Sequence, residues 1–91
     1  MHAGAEGTDH AHVTPGTETH LGDNRGDVMA FATTVVSTGA DPVVRHGPHV
    51  LRGMQFTKGR LVAYNMGNFA GRKALGLGGA RSDTGALQVT L

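Results

Sequence analysis

Six of the 91 residues are histidine, and their imidazoles are the groups in this chain with the widest chemical reach. His46 and His49 flank Gly47-Pro48 just past the short apolar run Pro42 to Val44. Neutral imidazole is the commonest protein ligand for zinc-, iron- and manganese-type ions. Pro48 narrows the backbone options there, and Gly47 lets the chain approach a ligand closely. Two solvated loop histidines would give the same spacing. In His2-Ala3-Gly4-Ala5-Glu6 a second imidazole precedes a carboxylate by four residues. Glu6 can ligate a metal, orient a histidine or act as a base, although a terminal His is more often frayed chain. In Gly67-Asn68-Phe69-Ala70-Gly71, Asn68 can adopt positive φ or hydrogen-bond a phosphoryl oxygen. The alternative is an ordinary turn with Phe69 anchored in the core. His10, His12 and His20 read as solvated loop residues. Ser37 and Ser82 have no base arranged for them, which leaves a nucleophilic triad unsupported. Gly76, Gly78 and Gly79 lack the strand–helix context of a nucleotide fingerprint.

Residues 1–24 read as loop, with a short strand at the start and a turn at Pro15-Gly16. A helix follows. Val28, Phe31, Ala32, Val35 and Val36 fall on one stripe of a 3.6-residue repeat. Asp23 or Asn24 is placed to cap it, Asp27 to complement its dipole, and Gly39 to end it. Pro42 to Val44 then reads as a buried strand with the His46/His49 loop at its C-terminal end, the position at which α/β sheets open a ligand crevice. Helix, short connection and strand make half of a βαβ unit, whose partner strand would precede the helix. Val50 to Phe56 and Arg60 to Asn65 predict a hairpin turning at Thr57-Lys58-Gly59. Met66 to Thr84 reads as Gly-rich loop, and the alternation of Ala86 to Leu91 predicts a final strand. The fold class is α/β, with one main helix and four to five short strands.

Composition bounds the function. There is room for one small domain. Leu, Val and Phe number nineteen, Ile is absent and Gly contributes fifteen, which describes a weak independent core. A net charge of +1 builds no field for nucleic acid or an anionic membrane. The absence of Cys excludes disulfides and thiolate chemistry. No apolar run approaches the ~20 residues of a membrane span, and Met1 is not followed by a signal peptide pattern.

Three stretches together resemble one family. Gly39-Ala40-Asp41-Pro42-Val43-Val44-Arg45-His46-Gly47-Pro48-His49-Val50-Leu51 is similar to its Gly-Ala-Asp, apolar strand and Gly-His-x-Pro-His-Val segment. Lys58-Gly59-Arg60-Leu61-Val62-Ala63-Tyr64-Asn65-Met66-Gly67-Asn68-Phe69 resembles its Lys-Gly-Arg to Gly-Asn-Phe segment, and His2 to Glu6 its His-x-Gly-x-Glu element. The family is the bacterial capsule-synthesis CapA, or poly-γ-glutamate synthesis, group of calcineurin-like metallophosphoesterases. Resemblance covers nearly the whole chain.

That resemblance implies a layered α/β sandwich around two divalent metal ions of manganese, iron or zinc type, which activate water and clamp a phosphoryl group. It implies His2 and His49 as metal ligands, His46 as a ligand or phosphate contact, and Glu6 and Asn68 in the same catalytic pocket. Arg45 stands where the family has Gly, and Asn65-Met66 where it has Ser-Leu. The family's upstream ligands (an early Asp, a Gly-Asp pair and an Asn-His pair) have no counterpart. Residues 1–91 are therefore expected to form a partial phosphoesterase-like domain with an incomplete metal site and no turnover alone. The implied partners are the capsule or polyglutamate synthesis machinery, and the implied location is the cell envelope or beyond. A non-catalytic assembly partner in capsule export and a non-functional truncated gene product are the rival readings.

Overall fold

A computed structural model describes residues 1–7, 10–69 and 78–91. Among these residues the fold comprises one α-helix and two sheets, of two and three strands. Strand β1 (Thr17–His20) pairs antiparallel with β2 (Asp23–Asp27), with an irregular register between Glu18 and Thr19. Helix α1 (Val28–Ser37) follows directly. Strands β3 (Val43–Val44), β4 (Met54–Thr57) and β5 (Arg60–Ala63) form the second sheet in the order β3-β5-β4.

The β1–β2 hairpin lies where loop was expected. Its strands, Thr-Glu-Thr-His and Asp-Asn-Arg-Gly-Asp, carry no apolar alternation, so the periodicity that reveals a strand is missing. Its existence moves the helix cap. Asp23 and Asn24 belong to β2, and Asp27 is the N-cap, its Oδ1 accepting from the Ala30 N–H at 2.9 Å. Asp27→Ala is expected to cost about 0.5–2 kcal/mol, read as a lower urea midpoint with an unchanged slope.

Val28, Ala32 and Val36 of the apolar stripe are buried, and they pack with Val43, Val62 and Tyr64 as the core. Phe31 departs from the stripe and is half exposed. Val43 faces Val62 across the parallel β3–β5 pair, so these two residues define the sheet face that α1 covers. The β4–β5 hairpin turns at Lys58 and Gly59, both at positive φ (50° and 75°), the conformation of the tight two-residue turn. The expected strands are shorter than the sequence suggested: residues 50–53 lie outside β4, and β5 ends at Ala63. Residues 86–91 form no strand. Of the Gly-rich stretch, residues 70–77 lie outside the described residues, and Gly79–Ser82 is a 3-10 turn.

The strand that precedes α1 in sequence, β2, belongs to the other sheet, so it does not complete the βαβ unit. Residues 1–3 supply the parallel neighbour instead. The Met1 nitrogen donates to Val44 O (3.0 Å), His46 N to Met1 O (2.7 Å) and Ala3 N to His46 O (3.1 Å). Those bonds set His2 opposite His46 in parallel register.

Candidate functional site

Parallel strands β3 and β5 end on the same side of the sheet, and the segments leaving them frame a cavity of about 430 Å³. His46, Gly47 and His49 come from the segment after β3, and Asn65, Met66, Gly67, Asn68 and Phe69 from the segment after β5. His2 enters from the N-terminal segment, and Gly85 completes the lining. Four of the five residues singled out from sequence thus line one crevice: His2, His46, His49 and Asn68. Glu6 is not among its lining residues. It lies 3.8 Å from His20 Nε2 and 3.7 Å from Arg25 Nη1. Phe69 is not a core anchor either, being 89% exposed at the cavity mouth.

Local geometry fixes the state of one imidazole. His49 Nδ1 lies 2.9 Å from Asn68 Oδ1. The Asn68 amide nitrogen donates to His49 O at 3.3 Å and Arg81 O at 3.4 Å, which orients the amide so that its oxygen faces the ring. That oxygen can only accept, so Nδ1 carries a proton, and in the neutral ring Nε2 keeps its lone pair. A metal-ligating His is usually held in this way, by an acceptor on its second nitrogen. The backbone of His49 sits at φ 59°, a left-handed conformation that costs energy for a residue with a side chain. At Gly47 (φ 131°) a Cβ would come within 3.0 Å of Ala3 O and 3.3 Å of His2 Nε2, so only glycine lets the His2 ring lie so near this loop.

Beside the crevice lies an ionic cluster that the sequence did not reveal. Arg52 donates from Nη2 to Glu18 Oε1 (2.7 Å) and from Nη1 to Glu18 Oε2 (3.0 Å), a bidentate pair with both side chains buried. The Ala5 N–H also donates to Glu18 Oε2 at 2.8 Å. Burial pushes the Glu18 carboxyl up, but these hydrogen bonds and the charges of Arg52 and Arg45 outweigh it and leave its pKa lowered. Arg45 is wholly buried, 5.7 Å from the centre of the Tyr64 ring, with Nη2 donating to Ala3 O at 2.6 Å. Its Nε and Nη1 have no partner among the described residues. Burial and repulsion by Arg52 pull its pKa down to about 10 against the attraction of Glu18 and Tyr64, which still leaves it charged at neutral pH. Nothing in the sequence pairs residues 18 and 52, which meet only in the folded chain.

The donor chemistry fits a divalent cation in part. Three imidazoles line the crevice, and one of them has its Nδ1 held by an acceptor. No group of three or more His, Asp or Glu side chains among the described residues is arranged to hold a metal.

Comparison with known proteins relates the sequence, rather than the geometry, to a family. A family model described as bacterial capsule synthesis protein PGA_cap matches residues 10–73. Two proteins of Sinorhizobium fredii, the uncharacterized proteins y4sH and y4uA, are each 46% identical over 41 residues, which is 45% of this chain. The match spans 9% of the length of each relative. No solved structure matches.

Proposed function

We propose, for a chain that belongs to the bacterial capsule synthesis protein family PGA_cap, that the crevice past β3 and β5 is its share of a metal-dependent phosphoesterase site. The observation carrying this reading is the meeting of His2, His46, His49 and Asn68 at one cavity, with the His49 Nε2 lone pair left free by Asn68. When bound, a divalent cation there would supply Lewis-acid polarisation of a phosphoryl oxygen and acidify a water. His2 and His49 would hold it, and His46 would hold it or meet the phosphate. Glu6, which faces His20 and Arg25 in this structure, would serve as the base or further ligand only after leaving those contacts. The layered sandwich of a complete phosphoesterase would place a further sheet against the one described here.

Imidazoles without carboxylates make a poor cage for two divalent ions, so this chain alone is expected to bind metal weakly and to turn nothing over. Substrate and partners follow the family's association with capsule synthesis: a phosphoryl ester met within the capsule or polyglutamate machinery. No helix among the described residues is long and apolar enough to cross a membrane.

The test is a manganese titration and a phosphate-monoester hydrolysis assay on this chain and on a form extended upstream with Asp and Asn-His donors. Weak binding and no hydrolysis by the short form, with manganese-dependent hydrolysis by the extended one, is the expected result. Hydrolysis by the short form would overturn the prediction of inactivity. Failure of the extended form to bind manganese would remove the metal reading and favour a non-catalytic assembly role.

A further inference from the structure

We infer that Arg45 is a positioning residue that seats the His2 imidazole in the crevice wall, by supplying a ladder hydrogen bond that Pro48 cannot make. The inference rests on reading this crevice as the functional site.

In a parallel pair each residue of one strand bonds alternately to residues two apart on the other. Here the sequence of rungs is Met1 N to Val44 O, His46 N to Met1 O, and Ala3 N to His46 O. The next rung would run from the N–H of residue 48 to Ala3 O. Residue 48 is proline and has no N–H. Ala3 O would be left without this donor, at the point where the N-terminal segment turns away from the sheet. The Arg45 guanidinium takes the vacant place at 2.6 Å.

Two further observations support this use of the side chain. Glu18 already receives both arms of Arg52, so the burial of Arg45 is not repaid by an ion pair of its own. Among the described residues, the single hydrogen bond that the Arg45 side chain makes is the one to Ala3 O, next to His2. Gly4 follows at φ 90°, where a Cβ would collide with Arg45 Nη2 and with Glu18 Oε2, so the chain crosses the guanidinium at bare-backbone thickness. Successive residues of an extended segment face opposite sides. Arg45 can therefore brace the N-terminal segment from one side while His46 faces the crevice from the other.

The experiment uses isotope-labelled chain of full length and NMR without added metal. The expected wild-type signals are a cross-relaxation peak between the His2 ring and Gly47 Hα, and slowly exchanging Arg45 guanidinium protons. Arg45→Met keeps the buried stem and deletes the donor. It should abolish the His2–Gly47 peak while the β4–β5 cross-strand peaks and the His49 Nδ1–H signal persist. Pro48→Ala in the Arg45→Met background restores an N–H at residue 48 and should restore the peak, a rescue that loss of generic packing would not give. Persistence of the peak in Arg45→Met overturns the inference, as does failure of the folded double variant to recover it. Should Arg45→Met not fold, wild-type guanidinium protons that exchange at the rate of a free arginine overturn it equally. Manganese is then added to the wild type. If the peak is present but no histidine signal broadens, the metal reading falls and the positioning role stands.

Discussion

Replacing Glu18 with Ala is expected to abolish the cooperative urea transition of this chain at neutral pH. Glu18 is the carboxylate bonded to Arg52, and its charge also acts on Arg45. Its removal strands two buried guanidinium groups and leaves the Ala5 N–H without its acceptor. Breaking a buried pair from one side costs about 3–5 kcal/mol, which rivals the roughly 5 kcal/mol at the low end of stability for a small domain. With so weak a core, folding should fail. Removing both charges at once, with Glu18→Leu and Arg52→Met, should cost far less, because no unpaired ion remains at that pair. Urea titration of the two variants checks the contrast, and equal losses would mean the pair does not carry this load.

The same carboxylate sets an acid limit. Its pKa is lower in the folded chain than the ordinary 4.5, so the unfolded chain takes up the proton more readily. Its contribution is complete above pH 4.5 and is lost as pH falls through the lowered folded value. The urea midpoint should therefore hold steady from pH 7 to about pH 5 and drop steeply below pH 4.5. Glu18→Gln, if it folds, should lose that share of the slope.

Asn68→Leu carries the other large expected effect. The amide of Asn68 is what keeps the proton of His49 on Nδ1. Without it the ring is free to turn and to place the proton on Nε2, the nitrogen whose lone pair the proposed metal site requires. Loss of such a partner typically costs 10–100-fold in metal affinity. A zinc titration should show that decrease. A long-range proton–nitrogen spectrum of the metal-free protein should show His49 moving from pure Nδ1–H to a mixture. Asn68→Asp keeps an oxygen acceptor, so it should hold the wild-type tautomer. A wild-type tautomer in Asn68→Leu would remove the role assigned to this residue.

These outcomes bear on how far the sequence could be read. The α1 stripe was legible because Val28, Ala32 and Val36 repeat at helical spacing and are the residues that reach the core. The β4–β5 turn was legible because Lys58-Gly59 is local chemistry. The clustering of His46 and His49 was legible for the same reason, as both leave one strand end. The β1–β2 hairpin was not, because two-stranded pairing of polar residues leaves no periodic trace. Nor was the proper cap: Asp23, Asn24 and Asp27 are all plausible caps by type, and only the hairpin decides among them. The strand expected at residues 86–91 shows the opposite failure, since alternating Leu87, Val89 and Leu91 look like a strand but find no ladder to join. Arg45 looked like an intruder in a glycine's place, and its use became visible only with the rung that Pro48 omits.

His2 and His46 share a bridge although more than forty residues separate them, and β1, β2, α1 and β3 all lie within the loop that this bridge closes. Contacts of such range form late, after the entropy of closing the intervening loop has been met. The crevice is accordingly a property of the finished chain and of no partly formed species along the way. Any ion captured there would act as a clasp on the loop from residue 2 to residue 46, raising the melting temperature with its concentration, and a protease that nicks the intervening segment would loosen the clasp without touching a single crevice histidine.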